Sequence, residues 1–300
     1  MEDNLAKTIR KLKNKKNAII LAHNYQPAEI QDIADLCGDS LELSIQASKT
    51  GADVIVFCGV HFMAETASIL CPDKTILLPD PTAGCPMAEM VTPEQLSARI
   101  REFPDIPVVT YVNSSAAVKA MSTICCTSAN SIKVVNSLHS QDVLMVPDRN
   151  LAHYTATKTD KTIYAWEGYC PYHDQLTVEE VAARRQEYPE ALFMAHPECR
   201  MEVLEIADEV ASTSGMLAYA RNSEARSLIV GTEVGLLYPL QKACPDKSFV
   251  AASENMKCAD MKKIKPADVA ASLEDLRGLV KVPEHIREPA MQAVRKMIEL

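Results

Sequence analysis

Three cysteines stand where chemistry would need them: Cys85 in PTAGCPM, Cys170 in WEGYCPYH and Cys258 in ENMKCADM, 85 and 88 residues apart. These separations are not those of a metal finger, and no C-x-x-C occurs, so neither a zinc ribbon nor a thioredoxin-type site is indicated. Each cysteine follows, at a matched distance, an apolar run that ends in polar residues: AIILAHNY at 18–25, VVTYVN at 108–113 and ALFMAHPE at 191–198. Aligning the runs pairs His23 with Tyr111 and His196, and Tyr25 with Asn113 and Glu198. The first member of each set lies 62, 59 and 62 residues before its cysteine. Such periodicity marks three copies of one unit.

Three thiols brought to one point form an unusual ligand set. A disulfide would use two of them, and a structural zinc site would want a fourth ligand. A 4Fe–4S cluster held by three thiolates leaves one iron open as a Lewis acid, which suits the elimination of hydroxyl groups. The plainer alternative is that a lone cysteine is a small buried hydrophobe. Cys37, Cys58, Cys125, Cys126 and Cys199 read that way. So do Cys71 and Cys244, which match each other in the repeated CPDK but face Lys158 in the middle copy. Lys74 and Lys247 of those repeats, and Lys161 in the middle copy, lie 11, 11 and nine residues before their cysteines.

The positioning elements follow from periodicity. Ala18–Ala22 reads as a buried parallel strand by its continuous apolarity. Pro27 suits a helix start, and Ile30, Ile33, Ala34 and Cys37 form a helical stripe that Gly38 stops. Asp39 or Ser40 caps the next helix, to about Gly51. Val54–Cys58 is a second strand, 61–70 a helix, Thr75–Leu78 a third strand, and 92–103 a linking helix capped by Thr92. Strands alternating with helices predict an α/β fold with parallel sheets covered on both faces. The domains expected are an N-terminal helix (1–17), three repeats (18–104, 105–189, 190–264) and two C-terminal helices outside the repeat (265–300). In such units ligands sit beyond the carboxyl ends of the strands. A spacing of two puts both members of each polar pair on one face of an extended chain. Hydroxyls at helix starts (Ser40; Thr127 and Ser128; Ser212, Thr213 and Ser214) add anion-binding N-termini, suiting a substrate rich in carboxylate or phosphate.

The net charge of −9 and the absence of a basic stripe argue against nucleic acid. The lysines between Lys11 and Lys16 read as a solvated helix face. No stretch approaches the ~20 apolar residues of a membrane span, and no signal-peptide core opens the chain. A cytoplasmic location with reduced thiols is expected. Nine glycines and no G-x-G-x-x-G exclude a dinucleotide fingerprint.

AHNYQ, IQDIADLCGDSLEL, FMAET, CPMA, YVNSSA, CTSAN, PDRNLA, HPEC, STSGM and NMK, in this order, resemble the quinolinate synthase (NadA) family over nearly the whole chain. The resemblance implies three αβα sandwich domains related by pseudo-threefold symmetry, with the active site at their common interface around one 4Fe–4S cluster. It implies condensation of iminoaspartate with dihydroxyacetone phosphate to quinolinate, with loss of phosphate and two waters, in NAD biosynthesis. Coupling to an L-aspartate oxidase or aspartate dehydrogenase that supplies iminoaspartate belongs to the same expectation. By motif the cluster ligands are Cys85, Cys170 and Cys258. His23, Tyr25, Tyr111, Asn113, His196 and Glu198 match active-site positions, and Ser40, Ser128 and Thr213 lie on the substrate-anion side. Glu198 is the candidate general base and Tyr25 the candidate acid/base for isomerising the triose. His23, Tyr111, Asn113 and His196 would orient substrate and stabilise negative charge. CPYHD departs locally from the family pattern and leaves Tyr172 and His173 unassigned. The alternatives are another cluster-dependent hydro-lyase and a non-enzymatic iron–sulfur protein. The second leaves the polar pairs unexplained.

Overall fold

The computed structural model describes residues 2–300. The N-terminal helix spans Glu2–Lys15; Met1, where that helix was expected to begin, lies outside the described residues. Among the described residues twelve strands follow in three sheets, all parallel. The first contains β1 (Ala18–His23), β2 (Leu36–Gly38), β3 (Val54–Cys58) and β4 (Thr75–Leu77) in the order β2-β1-β3-β4. The second contains β5 (Val108–Tyr111), β6 (Ile124–Cys126), β7 (Asp142–Val146) and β8 (Thr162–Ala165), ordered β6-β5-β7-β8. The third contains β9 (Leu192–Ala195), β10 (Glu209–Val210), β11 (Ser227–Gly231) and β12 (Ser248–Ala251), ordered β10-β9-β11-β12. The architecture is three αβα sandwiches of one topology. The two central strands of each sheet are buried except for the first one or two residues of β1, β7, β9 and β11, as a sheet covered on both faces requires.

Each unit thus has four strands where three were expected. The helical stripe predicted from Ile30 to Cys37 is one helical turn, Ala28–Gln31, followed by the edge strand β2. Local hydrogen bonding decides against the longer helix. The Asp35 carboxylate accepts from the Ile20 N–H (2.8 Å) and ties the chain back to β1. The same tether recurs in the other units: Thr123 Oγ1 accepts from Val108 N–H (3.0 Å) and Asp208 Oδ2 from Phe193 N–H (2.7 Å).

The repeated lysines have one duty in all three units. Lys74 donates to the Ala52 carbonyl (2.5 Å), Lys161 to Leu138 (2.5 Å) and Ser140 (2.6 Å), and Lys247 to Ala220 (2.7 Å) and Ser223. Lys161 and Lys247 thus close the carbonyl ends of the helices that precede the central strands (Ser131–Ser137 and Thr213–Asn222), where positive charge is favoured, and Lys74 holds the loop just past Ser40–Lys49.

Linking helices begin eight residues after each cysteine: Pro93–Glu102 after Cys85, Val178–Glu187 after Cys170 and Pro266–Asp275 after Cys258. Thr92 and Thr177 close capping boxes on the first two. The first tail helix therefore belongs to the repeat, contrary to expectation, and it packs on the N-terminal helix of the first unit. After it, Gly278 at φ +76° lies against β4, where a Cβ would meet the Leu78 carbonyl oxygen at 2.0 Å. Only glycine fits that turn. The last helix, Glu284–Glu299, lies on β6 and on the helices Ala116–Lys119 and His61–Leu70. It clamps the first unit to the second.

Candidate active site

The carboxyl ends of β1, β5 and β9 open into one cavity. It is lined by all six strand-end residues and by Cys85, Cys170 and Cys258, together with Ser40, Ser128 and Thr213. The residues singled out by spacing are thus brought to one place. Ser40 and Thr213 are the first residues of their helices, Ser40–Lys49 and Thr213–Asn222. Thr127 and Ser128, expected at a helix start, precede it: the helix begins at Ser131, and Asn130 Oδ1 accepts from the Thr127 N–H (2.7 Å) and holds the turn.

Backbone geometry sets the tautomers of two histidines. The Tyr25 N–H donates to His23 Nδ1 (3.1 Å), and the Glu198 N–H donates to His196 Nδ1 (3.4 Å). A spacing of two residues folds the chain back onto each ring, which leaves Nε2 to carry the proton. Burial lowers both imidazoles to about 3, so both are neutral at physiological pH.

Glu198 is 3% exposed and stands at the centre. Its Oε1 accepts from the Tyr111 hydroxyl (2.6 Å); its Oε2 lies 2.7 Å from His173 Nδ1 and 3.7 Å from His196 Nδ1. Burial opposes its charge, but the His173 and His196 rings outweigh that and hold the carboxyl low, at about 2. His173 continues the chain: its Nε2 is 2.8 Å from Thr232 Oγ1, which is 2.5 Å from the Tyr25 hydroxyl. Burial pushes the Tyr25 and Tyr111 phenols well above their usual range, so both keep their protons. Tyr111, Glu198, His173, Thr232 and Tyr25 thus form one hydrogen-bonded row crossing all three units. Spacing did not single out His173 and Thr232, because neither has a chemical counterpart in the other copies. The signal available was the His173 imidazole three residues after a cysteine.

Burial also raises the thiols, Cys85 to about 12, Cys258 to about 11 and Cys170 well above the usual thiol range. They ionise only when a cation compensates them. The loops presenting them are anchored alike. The N–H groups of His61, Arg149 and Val234 donate to the carbonyls of Ala83, Gly168 and Met256, each two residues before its cysteine (2.8, 2.8 and 2.9 Å). At Gly168 a Cβ would meet the Pro147 carbonyl oxygen at 2.4 Å, which accounts for the glycine in WEGYC. Among the described residues, the three metal-ligating atoms lying within 4.8 Å of one another are those of Cys170, His173 and Glu198, not the three sulfurs. Sulfurs on one tetrahedral ion at ~2.3 Å would stand about 3.8 Å apart, so the thiol triad suits a larger, polynuclear group. Asn113 Oδ1 is buried in this cavity without a protein partner, a free acceptor for a bound molecule.

Residues 7–299 match the family model described as Quinolinate synthetase A protein. A relative named quinolinate synthase from Geotalea uraniireducens is 54% identical, covering 100% of this chain and 98% of its own. One from Methanosarcina barkeri is also 54% identical, covering 98% and 97%. One from Dehalococcoides mccartyi is 52% identical, covering 97% of each. The chain belongs to the quinolinate synthase (NadA) family of enzymes.

Proposed function

We propose that this enzyme forms quinolinate from iminoaspartate and dihydroxyacetone phosphate, releasing phosphate and two waters, in NAD biosynthesis in the cytoplasm. The sum is redox neutral and needs no oxidant. One observation carries the reading: the three cysteines, the six strand-end residues and the anion-side hydroxyls line a single cavity. The names of the relatives agree with it. The unit boundaries at 18–104, 105–189 and 190–264, the last extended by the helix Pro266–Asp275, and supply of iminoaspartate by an aspartate oxidase or dehydrogenase, belong to the same proposal.

Cys85, Cys170 and Cys258 would hold one 4Fe–4S cluster. Such a group supplies an iron with an open position, a Lewis acid toward substrate oxygen. The chain's own residues do the rest. Ser40, Ser128 and Thr213 face the carboxylates and phosphate of the substrates, with Ser40 and Thr213 adding helix N-termini. The free Asn113 Oδ1 accepts from a substrate N–H or O–H. His23 and His196, neutral and with Nε2–H free, donate to developing negative charge without the cost of a buried cation. Tyr25 holds its proton and, linked through Thr232 to His173, acts as acid and then base in isomerising the triose. Glu198 is ionised, but a carboxylate held this low is a weak base by itself. Proton removal therefore falls to the Glu198–His173 pair, whose 2.7 Å contact lets one proton be shared.

Anaerobic incubation of the iron-loaded enzyme with the two substrates, followed by chromatographic assay of quinolinate, tests the proposal. Product is expected. A loaded enzyme that dehydrates other hydroxy acids but makes no quinolinate would point to the hydro-lyase reading. The compact Cys170–His173–Glu198 group favours a second reading, a single divalent ion there, which iron without sulfide would reveal.

A further inference from the structure

Two buried carboxylates have no part in the proposed chemistry, yet each touches a cysteine loop. Asp148 is 2% exposed and Glu233 is 1% exposed. Each stands two residues beyond the central strand of its sheet, after β7 and β11. Asp148 Oδ2 accepts from the Cys170 N–H (3.2 Å), and Glu233 Oε1 accepts from the Cys258 N–H (3.0 Å). Their other oxygens are spoken for. Asp148 Oδ1 caps the helix Arg149–Ala156 through the Leu151 N–H (2.7 Å), and Glu233 Oε2 meets the Gly235 N–H (2.7 Å) and Lys262 (2.8 Å). In the first unit the matching residue is Val60, which has no acceptor to offer. There the support comes from a neighbour: the Gly84 N–H donates to Asp260 Oδ1 (3.1 Å), from the loop that carries Cys258.

We infer that Asp148 and Glu233 are positioning residues that fix the backbone at Cys170 and Cys258 for the bound iron–sulfur group. The inference rests on the reading that the three cysteines hold such a group. The backbone anchor two residues before each cysteine is common to all three units, so it cannot by itself set the cysteine N–H. The carboxylates do, and they leave the sulfurs unencumbered. Burying two carboxylates this fully needs a reason, and each is repaid only where its loop must stay in one conformation. The first ligand, Cys85, is supported through the third unit. The three ligands are therefore not held equally.

The test uses Asp148→Asn and Glu233→Gln, which keep shape and one oxygen but offer an amide NH₂ where an acceptor stood. Anaerobically loaded wild type and variants are challenged with EDTA, and loss of the cluster's visible absorbance is followed. Asp39→Asn serves as control. It removes a buried helix-capping carboxylate, 6% exposed, whose hydrogen bonds go to Leu41, Glu42 and Ser212. Each positioning variant should lose iron about tenfold faster than wild type, as removal of a buried hydrogen-bond acceptor implies. Asp39→Asn should match wild type in the rate of iron loss. If Asp148→Asn fails to fold, Glu233→Gln decides alone. Variants that lose iron no faster than a loaded wild type, or no faster than Asp39→Asn, would overturn the positioning role while leaving the cluster reading intact. A wild type that takes up no iron would overturn both.

Discussion

The back of the molecule and its mouth treat the same repeat differently. At the back, equivalent positions do similar work three times: Lys74, Lys161 and Lys247 donate to carbonyls at or just past the end of the preceding helix, and Asp35, Thr123 and Asp208 tether strand starts. At the mouth, equivalent positions differ. His23 faces Tyr111 and His196, Tyr25 faces Asn113 and Glu198, and Val60 faces Asp148 and Glu233. The cysteines and the hydroxyls near the helix starts stay alike on that side. Folding asks the same of every copy, so the scaffold is uniform; an asymmetric pair of substrates asks different things of each unit, so the mouth is not.

Changes at the mouth should remove activity and leave stability nearly intact. Glu198→Gln should lower kcat/KM for quinolinate formation by about 10³-fold or more, in the range for loss of acid–base catalysis. Its iron content should match wild type. Tyr25→Phe should retain the cluster and cost about 10²-fold in turnover, the lower end of that range. Full activity in Tyr25→Phe would remove the phenol from the mechanism.

The mouth should also set the response to acid. His23 and His196 fall from 6.5 when unfolded to about 3 when folded. The unfolded chain therefore binds more protons between those values, and stability is lost as pH falls below 6.5. The slope is about 1.4 kcal/mol per pH unit for each ring. Glu198, lowered from 4.5 to about 2, adds a further loss only as pH falls through that lower window. Urea titration of the metal-free chain from pH 8 to pH 4 should show the first loss, and His23→Gln should halve its slope. An unchanged slope would mean that the ring is not neutral in the folded state.

At the back the effects should be smallest and equal. Lys74→Ala, Lys161→Ala and Lys247→Ala should each destabilise by about 1 kcal/mol, as for the loss of part-buried hydrogen bonds to carbonyls. Turnover at 25 °C should stay within twofold of wild type. A variant that cost activity without stability would break the division between back and mouth.

What the sequence revealed follows the same line. The central strands, the capped linking helices and the nine residues of the cysteine and strand-end triads were legible because they recur at fixed distances. The edge strands β2, β6 and β10 were not. Two or three residues are too few for periodicity, and Asp35 and Asp208 fix them through tethers far along the chain. Pro266–Asp275 passed for an appendage although it starts, like its counterparts, eight residues after a cysteine. His173 and Thr232 escaped because their roles come from contacts between units, which recurrence does not record, and Asp148 and Glu233 escaped because Val60 stands at their place in the first unit.

The central claim is that three cysteines from three units hold one iron–sulfur group. Iron and acid-labile sulfide per chain, measured after strictly anaerobic purification for wild type and Cys170→Ala side by side, test it most directly. About four of each in wild type, with loss of both in the variant, is the predicted result. Wild type without iron, or a Cys170→Ala variant that binds as much as wild type, would contradict it.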